Sequence, residues 1–474
     1  MQETLLNLVA TINGYLADYI LIVLLIGTGL WFSFKTKFVQ VRCFGEGMKK
    51  VFGKISLKGG KQEGGLSSFQ ALATAIAAQV GTGNIVVASG AILVGGPGAI
   101  FWMWVIAFLG MATIYAEAVL AQETRVVDEI GEVHGGPAYY IKKAFPNGFG
   151  TFLTIFFAIA TILALGFMGT MVQSNSIAES CNTAFGVPGW VVGVFVAAIA
   201  AFIFLGGIQR IASVTEKLVP IMACLFLLGG LATLIVRIQY IPETVGMIFK
   251  YAFTPGALIG GGIGYALKTA ISQGAKRGLF SNEAGMGSTP HAHAMAKVEK
   301  PHDQGVVAMI GVFIDTFVVL TMTALVVISC LYAGDGILNA HLSQGAYELA
   351  VSGDAALVTK TSAMQMAMSS AFSGLGNFGN IFVAVCLLFF AFSTIIGWNF
   401  FGKLNVQYLA GKKQKIAVVI YSVIAIAFIF LGSILKNDLV WELTDFFNYL
   451  MVLPNVIALI ALSKIVVKNS KKDK

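Results

Sequence analysis

Two stretches of this chain set polar side chains and glycines in the middle of apolar runs. The first reads Gln79-Val80-Gly81-Thr82-Gly83-Asn84, and the second runs from Ser272 through Gly274, Gly278, Phe280, Ser281, Asn282 and Glu283 to Gly285. Each glycine costs a helix about 1 kcal/mol relative to alanine. A helix that unwinds at membrane depth frees amides and carbonyls, which must then meet protein, water or a solute. Freed carbonyls suit a cation, and the amino end of the half-helix that follows suits a carboxylate. A zwitterionic amino acid beside a cation fits both. On this reading Gly81, Thr82 and Gly83 offer backbone amides to the carboxylate, and Asn84 adds its side-chain amide. The competing reading is helix packing, since small residues let membrane helices approach closely. A dinucleotide loop at Gly81-Thr82-Gly83 is excluded, because no βαβ unit surrounds it.

The elements that must carry these stretches are membrane spans. Of 474 residues 57% are hydrophobic and 11% charged, with a mean hydropathy of +0.82; a soluble domain carries about 25% charged residues. That excludes a cytosolic enzyme, a nucleic-acid-binding protein and a disulfide scaffold. The five cysteines lie far apart with no CxxC spacing, so no metal knuckle is indicated. No cleavable leader is expected, because the first residues carry Glu3 and no basic cluster. A bilayer core needs about 20 apolar residues of helix, and that ruler gives eleven spans: Tyr15–Phe34, Ser68–Val94, Ala99–Leu120, Phe149–Ser174, Gly189–Leu205, Leu218–Val236, Pro255–Asn282, Val306–Tyr332, Asn380–Phe401, Ile416–Leu435 and Phe446–Val467. Continuous rather than alternating runs imply helices, not a barrel.

Basic residues orient the spans. The loop from Lys35 to Lys61 carries eight Lys/Arg, Lys403–Lys415 four and Lys464–Lys474 five, all on one side of an eleven-span chain. The other side receives only Arg237, Lys250, Lys360 and Lys436. The positive-inside bias therefore puts the amino terminus outside and the tail in the cytoplasm, and the net charge of +8 needs no nucleic acid. The expected organisation is a leading helix and basic cytoplasmic loop (1–67), a ten-helix core (68–467) with an extracellular helical cap (333–379), and a basic tail (468–474). With the first helix set aside, the two irregular spans become core helices 1 and 6, where a 5+5 inverted repeat places its broken helices.

Several blocks make the chain resemble the alanine or glycine:cation symporter family. They include Gly65-Leu66-Ser67-Ser68-Phe69-Gln70-Ala71-Leu72, Val80–Ile85, Gly96–Trp102, Gly135–Tyr140, Gln173–Ala178, Arg277–Gly285, Pro290–Ala294, Gly311–Thr316 and Ser393–Trp398. The resemblance runs from about Leu16 to the last span. It implies an all-α polytopic membrane protein with the LeuT-like amino-acid-transporter fold, and Na⁺-coupled symport of a small neutral amino acid by alternating access. An H⁺-coupled or a glutamine- or serine-preferring carrier is the alternative within that family. The same resemblance implies that Gln173, Phe280 and Ser281 line the solute pocket with Gly81–Asn84, and that Trp398 forms its apolar wall. It assigns the Na⁺ to the carbonyls of Ala77 and Val80 and the hydroxyls of Ser393 and Thr394. Hydroxyls that bond back to their own helix are the plain alternative for Ser393 and Thr394. Na⁺, a small neutral amino acid and lipid are the expected partners of a monomer, and no further cofactor is implied. Val87-Ala88 and Asn399-Phe400-Phe401 depart from the family's usual residues and leave side-chain selectivity open.

Acidic groups inside spans draw functional suspicion. Glu117 is expected near the cytoplasmic end, solvated or capping; Asp315 is expected to pair with a basic group rather than carry a proton; Glu283 is left open. His291 and His293, two apart, lack the further ligands a metal site needs. A channel would want repeated filters and an intramembrane enzyme a nucleophile with its base; the chain offers neither pattern.

Overall fold

The computed structural model describes residues 2–53, 66–128, 132–253, 264–339, 358–435 and 438–471. Lys54, Lys58 and Lys61 of the basic loop, 255–263 of the seventh span, 340–357 of the cap, Lys436 and the last three residues lie outside the described residues. The long helices are α1 (Glu3–Lys35), α2 (Ser68–Gln79), α3 (Gly83–Gly95), α4 (Ala99–Thr124), α5 (Gly148–Phe185), α6 (Gly189–Phe204), α7 (Gly207–Val236), α8 (Ile241–Phe253), α9 (Gly264–Asn282), α10 (Pro301–Leu331), α11 (Ala363–Ala371), α12 (Phe378–Ala410), α13 (Gln414–Ile434) and α14 (Asp438–Ala461). A two-stranded hairpin pairs Val126–Val127 with Val133–His134. Counting α12 and α13 as one continuous run, seven helices among the described residues are long and apolar enough to cross a membrane, or eight if the bent α2–α3 pair is one span. The protein is thus a helical, membrane-type protein.

Local chemistry explains where these helices start and bend. Ser67 and Gln70 form a reciprocal capping box at the head of α2, each side chain bonded to the other's backbone amide at 3.1 Å. Asn147 caps α5 by accepting from the Gly150 amide at 3.1 Å. Pro220 and Pro454 sit inside α7 and α14, each removing one amide donor. Four segments widen to π-helix: Leu16–Leu21, Gly83–Val87, Ile162–Gly169 and Phe313–Leu320.

Helices sort into an inner and an outer set by what they bury. In α4 72% of the apolar window is buried, against 28% in α1 and α7. The outer helices turn Val23, Phe195, Leu228 and Val423 outward, an uninterrupted apolar surface that only lipid tolerates. Helices α2 and α3 are buried along most of their length, and the site-facing residues of α4, α10 and α12 are buried too, so polar groups placed there depend on protein partners.

The two irregular stretches differ from expectation in one respect. Helices α2 and α3 meet at a 46° bend around Val80–Thr82. In the seventh span, however, Gly264–Asn282 is unbroken, and irregular backbone begins only at Glu283 and lasts to Thr289. Glycines 274 and 278 are packing contacts: a Cβ on Gly274 would lie 2.5 Å from Cβ of Trp102, and one on Gly278 would touch Ile106 at 3.4 Å. They let α9 lie close against α4.

Candidate functional site

The C-terminal end of α2 is where the expected residues converge. Val80 is extended (φ −84°, ψ 90°), which ends α2 and leaves its last carbonyls without a helical partner. Gly81 is there because nothing larger fits: an added Cβ would sit 2.1 Å from Oγ1 of Thr394 and 3.3 Å from Oε1 of Gln173. Gly83 faces the backbone of Ser281, 3.0 Å from where its Cβ would be. Both glycines of the first break therefore serve close approach as well as unwinding.

Gln173 on α5 accepts from the Thr82 amide at 3.2 Å. Asn84 accepts from the Gly81 amide at 3.0 Å through Oδ1, while its Nδ2 donates to the Asp315 carboxylate at 2.7 Å and to that residue's carbonyl at 3.1 Å. Ser281, at the end of α9, donates to the same carboxylate at 3.1 and 3.2 Å. Thr82, Asn84, Gln173 and Ser281 are all fully buried. Two atoms in this group have no hydrogen-bond partner, Oγ1 of Thr82 and Nε2 of Gln173. An unmet buried donor is costly, and here two stand around one opened backbone.

The apolar side is built by Trp398 and Phe280, whose rings meet edge to face at 5.7 Å. Gly169 lies one turn before Gln173 on α5, and a Cβ on it would strike the Trp398 ring at 2.5 Å. The indole nitrogen of Trp398 donates to Glu283. Phe280 also stacks on Trp441 at 6.1 Å. Beyond Trp441 opens a cavity of about 770 Å³, lined among others by Asn175, Glu179, Trp190, Lys360 and Asp438. The Lys360 ammonium lies 3.9 Å from the centre of the Trp441 ring. Burial, with Arg277 nearby, holds that ammonium below the usual lysine range, against the pull of Asp438, Asp445 and Glu179. Arg277 itself pairs with Asp445 at 2.9 Å.

The residues expected to hold a cation also meet. The hydroxyls of Ser393 and Thr394 on α12 reach the Ala77 carbonyl at 3.2 and 3.0 Å, and Ser393 lies 3.5 Å from the Val80 carbonyl. Each also bonds back to the Phe390 carbonyl of its own helix, at 2.8 and 3.2 Å. Two free-ended carbonyls and two hydroxyls form a neutral oxygen cradle, the donor set a hard cation prefers.

The acidic groups depart from expectation. Glu117 is fully buried, not solvated: its carboxylate accepts from the amides of Gly287 and Gly285 at 3.0 and 3.2 Å and from Asn455 at 2.6 Å. Left-handed backbone at Glu283 (φ 59°), Gly285 (φ 92°) and Gly287 (φ 82°) turns those amides toward it, a nest for an anion. Asp315 has no basic partner among the described residues; every side chain bonded to it is neutral. Glu283 accepts from Ser288 and Trp398. His291 and His293 are buried and bonded to Asn405 and Gln304 at 2.9 and 2.8 Å. Asn455 was missed in the sequence; its amide beside Pro454, within the apolar run Leu450–Leu462, was the available signal.

Comparison with known proteins places the chain in a family. Residues 2–473 match the model of the sodium:alanine symporter family. The chain is 40% identical over 467 residues to the sodium/alanine symporter AgcS of Methanococcus maripaludis, covering 98% of this chain and 96% of that one. It is 38% identical over 449 residues to the amino-acid carrier protein AlsT of Bacillus subtilis, covering 94% and 87%. Among solved structures it superposes on MhsT in complex with L-phenylalanine with a TM-score of 0.55 at 14% identity, over 85% of this chain and 99% of that one, a likeness of fold. With matches that span both partners nearly end to end, the chain belongs to the sodium:alanine symporter family, whose members are membrane transporters.

Proposed function

We propose that the protein is a secondary transporter that carries a small neutral amino acid, alanine foremost, into the cell together with Na⁺ by alternating access. The observation that carries this reading is the junction at Gly81–Asn84. Unmet donors on Thr82 and Gln173 stand beside the opened backbone, and the oxygen cradle of Ala77, Val80, Ser393 and Thr394 adjoins it. The donors suit a carboxylate and the cradle a Na⁺. The bulk of Trp398, packed edge to face on Phe280, favours a methyl-sized side chain. Likeness to AgcS, named a sodium/alanine symporter, supports the pairing of solute and ion.

The proposal includes eleven spans, a leading helix followed by two inverted five-helix repeats, with the amino terminus outside and the tail in the cytoplasm. On that orientation the 770 Å³ cavity above Trp441 is the outer vestibule. The monomer contains the whole site. The test is uptake of radiolabelled alanine by the purified full-length chain in proteoliposomes. An inward Na⁺ gradient is expected to drive uptake, and glycine to compete better than serine or glutamine. Equal uptake from a proton gradient without Na⁺ would sink the coupling, and stronger competition by glutamine would sink the solute assignment.

A further inference from the structure

Three donors of different kinds meet at the head of α10, about 20 Å along that helix from Asp315. They are the Cys43 thiol, the Glu46 carboxylate and the His302 imidazole, whose ligand atoms all lie within 4.8 Å of one another. Cys43 joins two short helices of the basic loop, Val39–Arg42 and Phe44–Phe52, and Glu46 lies in the second. His302 is the second residue of α10. Close packing brings these elements together. A Cβ on Gly47 would lie 2.7 Å from both Cγ1 of Ile310 and the Val306 carbonyl oxygen, so glycine lets Phe44–Phe52 rest on α10. Phe44 seals that contact edge to face on Phe313 at 4.9 Å. Cys43 is buried, while Glu46 and His302 are half-buried and within reach of solvent.

We propose that Cys43, Glu46 and His302 bind one Zn²⁺, with water in the fourth position. Nε2 of His302 stands 3.4 Å from Oε1 of Glu46, long for an N–H···O bond of about 2.7–3.2 Å. Around zinc, metal–ligand lengths of about 2.0–2.1 Å put neighbouring N and O ligands of a tetrahedron about 3.3–3.4 Å apart. The other ring nitrogen, Nδ1, lies 2.7 Å from the Tyr115 hydroxyl on α4. With the proton on Nδ1, that bond holds the ring and leaves the Nε2 lone pair for the metal. Gly305 admits the tyrosine, since a Cβ there would lie 2.7 Å from its ring. Lys50 is 3.9 Å from Glu46 and pairs more closely with Asp303, at 3.0 Å, which leaves the Glu46 carboxylate available. Thiolate and imidazole together select Zn²⁺ over Mg²⁺ or Ca²⁺. The thiol proton leaves to solvent as the metal enters, and thiolate and carboxylate then balance its two charges. The bound ion ties the basic loop to α10 and, through Tyr115, to α4. The other three-donor group among the described residues, Asp128, Glu132 and His134 of the hairpin, offers no sulfur, and its Asp128 already pairs with His134 at 2.9 Å.

The experiment measures the metal directly and does not depend on transport. Purified full-length protein, stripped with a chelator and desalted, is expected to take up one Zn²⁺ per chain in a titration against a zinc-sensing dye. Co²⁺ in its place is expected to give the near-ultraviolet charge-transfer band of a thiolate ligand, and Cys43→Ser to abolish that band. Tyr115→Phe keeps all three ligands and frees the imidazole, so it is expected to weaken Zn²⁺ binding about 10- to 100-fold; it tests the site even if Cys43→Ser does not fold. A chain that binds no Zn²⁺, or a cobalt band that survives in Cys43→Ser, overturns the proposal. Affinity in Tyr115→Phe equal to the wild type overturns it as well. Zn²⁺ binding that is lost in His134→Ala and kept in Cys43→Ser also overturns it and places the ion on the hairpin.

Discussion

The backbone opens twice in this molecule, and the two openings are finished differently. At Val80–Asn84 the chain is squeezed between Thr394 and Ser281, and the polar atoms beside it, Oγ1 of Thr82 and Nε2 of Gln173, are left unmet. At Glu283–Thr289 the amides of Gly285 and Gly287 are both taken by Glu117, Asn455 holds the Gly285 carbonyl and Ser288 bonds Glu283, so that Oγ1 of Thr289, at its far end, is the side-chain atom left unmet. Unmet groups are tolerated where a ligand completes them, and met groups are what a fixed scaffold requires. On the proposed function, the first opening receives the solute and the second belongs to the architecture that holds Phe280, Ser281 and Trp398 in place.

The contrast can be broken by experiment. Glu117→Ala carries the largest expected effect, because it strands two backbone amides and the Asn455 amide. At about 1–3 kcal/mol for each stranded group, the purified protein should lose several degrees of melting temperature, and Glu117→Gln less. A melting temperature equal to the wild type would show that the second opening does not depend on this nest. Gly81→Ala comes next: forcing a methyl group against Thr394 costs about 1–3 kcal/mol. Alanine affinity measured by titration calorimetry should fall by roughly 5- to 150-fold, with a smaller change in melting temperature than Glu117→Ala. If both variants lose stability equally, the distinction between ligand-facing and scaffold openings collapses. Smallest is Thr82→Val, which deletes a hydroxyl with no protein partner. Melting should stay where it is, while alanine affinity drops about tenfold for one lost charge-assisted bond of about 1.5 kcal/mol; unaltered affinity would place that hydroxyl away from the solute.

How much of this was readable beforehand follows from the range of each interaction. The helical membrane character and the first opening were legible because apolar length and a Gly-Thr-Gly-Asn run are local signals. The second opening was displaced in the reading because Gly274 and Gly278 look like helix breakers, and only the neighbouring Trp102 and Ile106 reveal them as contacts. The cradle and pocket residues were named through family resemblance, and the fold brings Ala77 to Thr394 and Thr82 to Gln173 across long stretches of chain. The acids were hardest. Nothing near Glu117 in sequence announces that its partners are Gly285, Gly287 and Asn455, and nothing near Asp315 says that no basic group comes to meet it.

The π-helical turns bear on how such a site could arise. A π turn absorbs one surplus residue within a single turn of an otherwise regular helix. Three of the four here adjoin the site: one begins at Gly83, one ends four residues before Gln173, and one carries Asp315. Each spoils local backbone pairing while leaving the helix on either side in register with its neighbours. A bundle relieved of these three residues would keep its packing faces and gain hydrogen bonds, at the expense of the bulges that present the polar groups. On the proposed function, such one-residue surpluses in an otherwise regular bundle are what present buried polar groups to ion and solute.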